Sequence, residues 1–313
     1  MHRFKLQILA LSLIILVNCS EITDHSRSGN LEIKVDESIA VDKIPEGEGP
    51  YNYGIPLNLN YKYPADSNGI AIFEYQNKNY YHPVVIGMYI IRFIDSYQMT
   101  LNMEYIERAK LFYDKLEEIA LNESGTYYFS YNFDWNLHNI RGEDLFAPWY
   151  SGMAQGIVLS GLVGLYSSTN EEKYINAADS VFQSFKNFHY EYDTWTVSLD
   201  TAGYYWIEEY PMQNQTHVLN GFVSGVYGLY DYYMLKKDDD SFQYLQAALT
   251  TLKHYLPDFR RPGKTSYYCL KHEHPGTSHY HQVHTEQLYM LHKMTGDSFF
   301  KSMADSFYAD YHE

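Results

Sequence analysis

Beyond residue 80 the apolar positions of the chain recur at three-to-four spacing, in paired segments. Val84 to Phe93 is followed by Ile106, Ala109, Phe112, Leu116 and Ile119. Met153, Ile157, Leu162 and Leu165 precede Tyr174, Ala178, Val181, Phe182 and Phe185. Val218 to Tyr233 precedes Phe242, Leu245, Leu249, Leu252 and Leu256, and Val283 to Met294 precedes Phe300, Met303, Phe307 and Tyr311. That spacing is one face of a helix, so each pair predicts a helical hairpin. First helices begin near residues 82, 148, 216 and 279, a period of about 65 that fits one hairpin plus a long connection. Connections inside a pair are short, as at Ser167 to Glu171 and Lys236 to Asp240. Those between pairs are long and aromatic, running from Thr126, from Tyr190 to Tyr210, and from Arg260 to His279. The pattern predicts an α-dominated α/α barrel, an incomplete toroid of about four helical hairpins with short β-hairpins in the rim loops. If first helices face inward, every long connection leaves at one rim, and functional residues belong on such loops.

The segment before this region reads differently. Residues 1–19 carry Arg3 and Lys5, then an apolar run from Leu6 to Val17 that is short for a membrane span and has the form of a signal peptide. Leu16-Val17-Asn18-Cys19 resembles a bacterial lipobox, with Asn an atypical residue before the cysteine. Cys19 is therefore the expected lipidation site of an exported lipoprotein at the outer membrane or cell surface, with a periplasmic or secreted protein as the alternative. Residues 20–50 are acidic and polar and read as a flexible tether, leaving 51–313 as a single catalytic domain.

Composition narrows the function. The chain has 313 residues, 45% of them hydrophobic, and a net charge of −16, which argues against nonspecific binding to nucleic acid and leaves membrane contact to the lipid anchor. With Cys19 assigned to export, Cys269 stands alone and a disulfide framework is excluded. Tyrosine is in excess at 34 residues. Aromatic faces stack on sugar rings while hydroxyls bond their rims, so a carbohydrate groove is one reading and core packing the other.

Four segments fall on the expected rim: Trp149-Tyr150-Ser151-Gly152-Met153-Ala154-Gln155-Gly156; Glu208-Glu209-Tyr210-Pro211 with Leu219-Asn220-Gly221-Phe222; Tyr268-Cys269-Leu270-Lys271-His272; and Tyr280-His281-Gln282-Val283-His284. In this order, with Gly228-Leu229-Tyr230-Asp231 and upstream Gly54-Ile55-Pro56-Leu57 and Tyr81-His82-Pro83, they resemble the C-terminal helical domain of heparosan/heparan glucuronyl 5-epimerases over about residues 52–311. Animal members carry a β-sandwich where this chain has only some 50 residues, so it resembles a reduced bacterial form. The resemblance places the family's catalytic tyrosines on Tyr210, Tyr268 and Tyr280, with Glu209 beside them. Lys271 stands for the family's Arg and Cys269 for its Asp, and a lysine keeps the charge but loses the bidentate fork. Lys271, His272, Trp149, Tyr150 and Asn220 are the candidate substrate contacts, with Trp149 either a sugar platform or a packing residue. Arg260, Arg261 and Lys264 are a candidate basic patch or a solvated turn.

The activity so implied is inversion of D-glucuronate to L-iduronate at carbon 5 within an acidic, heparosan-like polysaccharide. It needs proton donors and acceptors around the ring and groups that stabilise charge growing on the carboxylate. The resemblance implies no cofactor and a possible homodimer. His272, His274, His279, His281 and His284 suggest a metal cluster, but their spacing supplies no third ligand and no metal is expected. The same first step followed by elimination would make a uronate lyase, and a surface glycan-binding protein would need no turnover.

Overall fold

The computed structural model describes residues 32–312 except 46, 61 and 273. The signal-peptide and Cys19 lipidation readings, and the tether reading for residues 20–31, lie outside the described residues.

Four helical hairpins follow one another: α1 (Pro83–Thr100) with α2 (Met103–Ile119), α3 (Gly152–Thr169) with α4 (Glu172–Gln183), α5 (Leu219–Lys236) with α6 (Asp239–Phe259), and α7 (Ser278–Thr295) with α8 (Ser298–Asp310). Each hairpin turns in the same way. The first helix ends on a left-handed residue, Leu101, Asn170, Lys237 or Gly296, and the next residue, Asn102, Glu171, Asp238 or Asp297, is the N-cap of the second helix. The left-handed residue satisfies a last-turn carbonyl, and the short side chains of Asn102, Asp238 and Asp297 accept from the next helix's free N–H groups. This chemistry explains the short connections.

First helices pack on one another in the order α1, α3, α5, α7, and each second helix backs its own partner. α3 and α5 bury residues on nearly all sides, as expected of helices enclosed by others. They meet at a glycine seam. A Cβ on Gly156 would lie 2.5 Å from Gly225 Cα and 2.6 Å from Ser224 O, so backbone faces backbone and no side chain fits. Among the described residues α7 does not close onto α1, and the toroid is incomplete.

The connections carry antiparallel two-stranded hairpins, as expected: β1 (Phe73–Tyr75) with β2 (Lys78–Tyr80), β3 (Ala120–Glu123) with β4 (Thr126–Phe129), β5 (Trp135–Asn136) with β6 (Asp144–Leu145), β7 (Val197–Leu199) with β8 (Tyr205–Ile207), and β9 (Tyr267–Cys269) with β10 (His274–Pro275). The last four pairs belong to the connections that enter α3, α5 and α7 at their N-termini.

The tether reading is corrected for residues 32–50. Ile39 and Ile44 are 3% and 8% exposed and belong to the main core. Backbone groups are satisfied along the way: Lys34 N–H donates to Gly203 O, Asp36 N–H to Thr250 Oγ1, Asp42 N–H to Met294 O, and Ile39 O accepts from Gln246 Nε2. The Tyr230 hydroxyl accepts from Ile44 N–H and donates to Asp42 O, each at 2.9 Å. A polar segment that spaces a few large apolar residues can pack as a strap when its backbone finds partners, and composition averages that spacing away.

Candidate functional site

Glu209 and Tyr210 follow β8, where the chain leaves the hairpin for α5. The Glu209 side chain turns back over the start of α5, whose N-cap, Val218, offers no side-chain acceptor. The carboxyl takes that place. It accepts from the Gly221 backbone N–H and from Asn220 Nδ2 at 3.2 Å, and from the Tyr210 hydroxyl. Gly221 is required here, because a Cβ would lie 2.8 Å from Glu209 Cδ and closer still to its Cβ and Oε2. The Asn-Gly pair thus holds the acid rather than only packing a helix. Glu209 is 7% exposed, and burial among neutral donors pushes its pKa up to about 7.

Tyr210 also shares a hydrogen bond with Tyr268 on β9, and Tyr268 shares one with Tyr280 in the first turn of α7. The Tyr268 and Tyr280 rings meet edge to face with centroids 4.8 Å apart. The three tyrosines named from the sequence therefore converge from three separate connections into one chain, Glu209–Tyr210–Tyr268–Tyr280. Burial, with the Glu209 charge nearby, raises all three phenols above their usual range. Tyr268 is 8% exposed and Tyr280 more open, so the chain runs from a buried acid to an accessible phenol. Asn220 Oδ1 is buried beside this chain without a hydrogen-bond partner among the described residues.

Glu208 precedes Glu209 and serves a different purpose. It is fully buried, accepts from Ser198 Oγ and His217 N–H, and pairs with His217 Nδ1 at 2.8 Å.

Successive side chains of a strand point to opposite faces, so Cys269 turns away from Tyr268 and toward a second cluster. Its Sγ lies 3.6 Å from His138 Nε2. His138 Nδ1 donates to Glu143 Oε2 at 2.7 Å, His272 Nε2 donates to Glu143 Oε1, and Lys271 Nζ lies 2.8 Å from the same Oε1 and donates to Asn214 O at 3.2 Å. Lys271 and His272, the expected substrate contacts, are thus both engaged by the Glu143 carboxylate. Three cationic or N–H donors hold the Glu143 carboxyl down at about 2 although its side chain is only 2% exposed. Neither Glu143 nor His138 stood out in the sequence. They lie about 130 residues from their partners, and nothing local marks a lone Glu in the β5–β6 connection as buried.

Trp149 resolves as a packing residue. It is 7% exposed, stacks on Tyr131 at 4.0 Å and donates from Nε1 to Phe133 O. Tyr150 lies against Tyr128. The proposed basic patch is engaged elsewhere, with Arg260 on Asp310 and Arg261 over Tyr267. His281 and His284 are buried on Ser266, so these two histidines of α7 are structural.

Comparison with known proteins supplies the classification. The description "D-glucuronyl C5-epimerase C-terminus" matches residues 123–309, a span that contains both clusters. The chain belongs to this family. A D-glucuronyl C5-epimerase of Caenorhabditis elegans is 30% identical over 175 residues, covering 50% of this chain and 28% of that protein. An uncharacterised protein of Methanocaldococcus jannaschii is 28% identical over 181 residues, covering 54% of this chain and 53% of its own. The chain thus spans about half the length of one relative and about a quarter of the other. Among solved structures, the cellobiose 2-epimerase of Bacillus thermoamylovorans aligns with a TM-score of 0.52 at 14% identity, over 72% of this chain and 58% of that one. The α-1,6-mannanase of Salegentibacter sp. aligns equally well, TM-score 0.52 at 14% identity over 78% and 64%. The chain thus shares its α/α-barrel fold with a sugar epimerase and a mannanase. No helix among the described residues is long and apolar enough to cross a membrane.

Proposed function

We propose that the protein is a uronate 5-epimerase, inverting D-glucuronate to L-iduronate within an acidic glucuronate–glucosamine polymer such as heparosan. One observation carries this reading beyond family membership: a buried carboxyl with a pKa near 7 is joined by hydrogen bonds to a file of three phenols ending at the rim. At neutral pH such a carboxyl is part ionised, and its hydrogen bond to Tyr210 lets it draw a proton along the file. A phenol alone is a poor base at that pH, because its usual pKa is near 10 and burial here raises it. Linked to Glu209, Tyr280 or Tyr268 takes the carbon 5 proton as its own hydroxyl proton passes along the file to the Glu209 carboxylate, and the negative charge moves onto the sugar's carboxylate.

The hydrogen-bonded file also bears on the stereochemistry. Tyr268 and Tyr280 hydroxyls that bond each other cannot stand on opposite faces of a sugar ring. Their role is relay on one face, and the proton returned to the other face comes from outside the file. The polymer is reached from outside the cytosol, with Cys19 as the proposed anchor.

The test is incubation with heparosan and its N-sulfated form in deuterated water, followed by proton NMR. Deuterium at carbon 5 with iduronate signals is expected, and Tyr268→Phe is expected to slow exchange by about 10²–10⁴-fold. Unsaturated uronate ends would make the protein a lyase, and no exchange on either polymer would remove the assignment.

A further inference from the structure

The Glu143 cluster has no part in the proton file and is built like a metal site. His138 and His272 offer imidazole nitrogens and Glu143 a carboxylate oxygen, with all three ligand atoms within 4.8 Å of one another. Two imidazoles and one carboxylate form a donor set suited to zinc and its neighbours rather than to calcium or magnesium. The side chains of His138 and Glu143 are 4% and 2% exposed, so the site is held by packing and not by mobile surface groups. His272 is 29% exposed, which leaves one side open for a fourth ligand, water or an anionic oxygen.

We propose that His138, Glu143 and His272 bind a zinc-class divalent cation, and that Lys271 is the internal cation that competes for the site. Two imidazole N–H groups and the Lys271 ammonium surround the carboxylate. The bound cation takes the place of those protons. The His138 imidazole proton moves from Nδ1 to Nε2, where Cys269 Sγ stands 3.6 Å away as its outer partner. His272 changes tautomer likewise. Bonds of about 2.0–2.2 Å place tetrahedral ligands roughly 3.3–3.6 Å apart, so the hydrogen-bonded His–Glu pairs open by under about 1 Å and any wider spacing, up to the 4.8 Å limit of the cluster, closes. Lys271 withdraws, and its partly exposed stem and second partner, Asn214 O, allow that movement.

The consequence is mechanical. His138 and Glu143 belong to the β5–β6 connection and His272 to the tip of β9–β10. A metal would tie the hairpin that carries Tyr268 to its neighbour.

The experiment uses the full chain without a histidine tag, stripped with a chelator and titrated with Co²⁺ and then Zn²⁺. One Co²⁺ per chain with the visible absorption of four- or five-coordinate cobalt is expected, together with displacement by zinc and a rise of several degrees in the unfolding midpoint. His272→Ala is expected to weaken binding by about a hundredfold or more, Lys271→Met to tighten it, and the exposed His279→Ala to leave it unchanged. Absence of stoichiometric binding at micromolar metal overturns the proposal. So does binding that His272→Ala and His138→Ala both leave intact, which places the metal elsewhere. His272→Ala removes a part-exposed ring and keeps the test valid if the His138 variant does not fold.

Discussion

Glu209 and Glu143 are both nearly inaccessible, at 7% and 2% exposure, and both accept several hydrogen bonds at the same rim. Yet Glu209 is pushed up to about 7 and Glu143 held down at about 2. The partners make the difference. Around Glu209 the donors are a phenol, an amide and a backbone N–H, all neutral, so the carboxylate loses water without gaining a counter-charge. Around Glu143 stand Lys271 and two imidazoles. Burial alone therefore does not determine what a carboxyl does. One acid is tuned to exchange protons near neutrality, and the other is locked as an anion that fastens two hairpins or receives a cation.

Breaking the ionic cluster has the largest expected effect on stability. Glu143→Gln leaves Lys271 and two imidazoles without their anion, and removal of one partner of a buried pair costs about 3–5 kcal/mol. Urea unfolding at neutral pH measures it, and an unchanged midpoint would show that the cluster holds nothing.

Glu209→Gln sharpens the comparison through its sign. A carboxyl raised from 4.5 to about 7 binds more protons in the folded state, so its contribution to stability is complete below pH 4.5 and is lost as pH rises through about 7. The loss is on the order of 3 kcal/mol. Glu209→Gln is expected to abolish that slope while Glu143, whose carboxyl is lowered, supplies the opposite slope below pH 4.5. Unfolding free energies at several pH values from 4 to 8 would decide it, and a variant that retains the slope would assign it to another group.

The smallest effect on stability is expected from Gly221→Ala. The new methyl presses on the Glu209 carboxyl and displaces it from Tyr210, at about 1–3 kcal/mol of strain. The informative readout is proton exchange at carbon 5, which should fall much further than stability does. Equal losses would mean that Gly221 serves packing alone.

The hairpin repeat was legible because helical spacing is local, and so were the four short turns. The three tyrosines and Glu209 were legible only through the resemblance of the rim segments to the epimerase family. Other residues could not be read in this way. Trp149 has the composition of a sugar platform, but Tyr131 and the Phe133 carbonyl occupy its face and its N–H. Lys271 looks like a free cation until Glu143 is seen beside it. The strap at residues 32–50 was misread because its polar average conceals Ile39 and Ile44.

By itself the sequence determined the helices and their pairing, since both follow from spacing along the chain, and its rim segments pointed, by resemblance, to the residues the fold gathers there. Only the tertiary structure decided the charge state of each acid. That state depends on which groups from distant connections share its dry surroundings, and nothing in the local sequence records whether a carboxyl will meet a phenol or an ammonium.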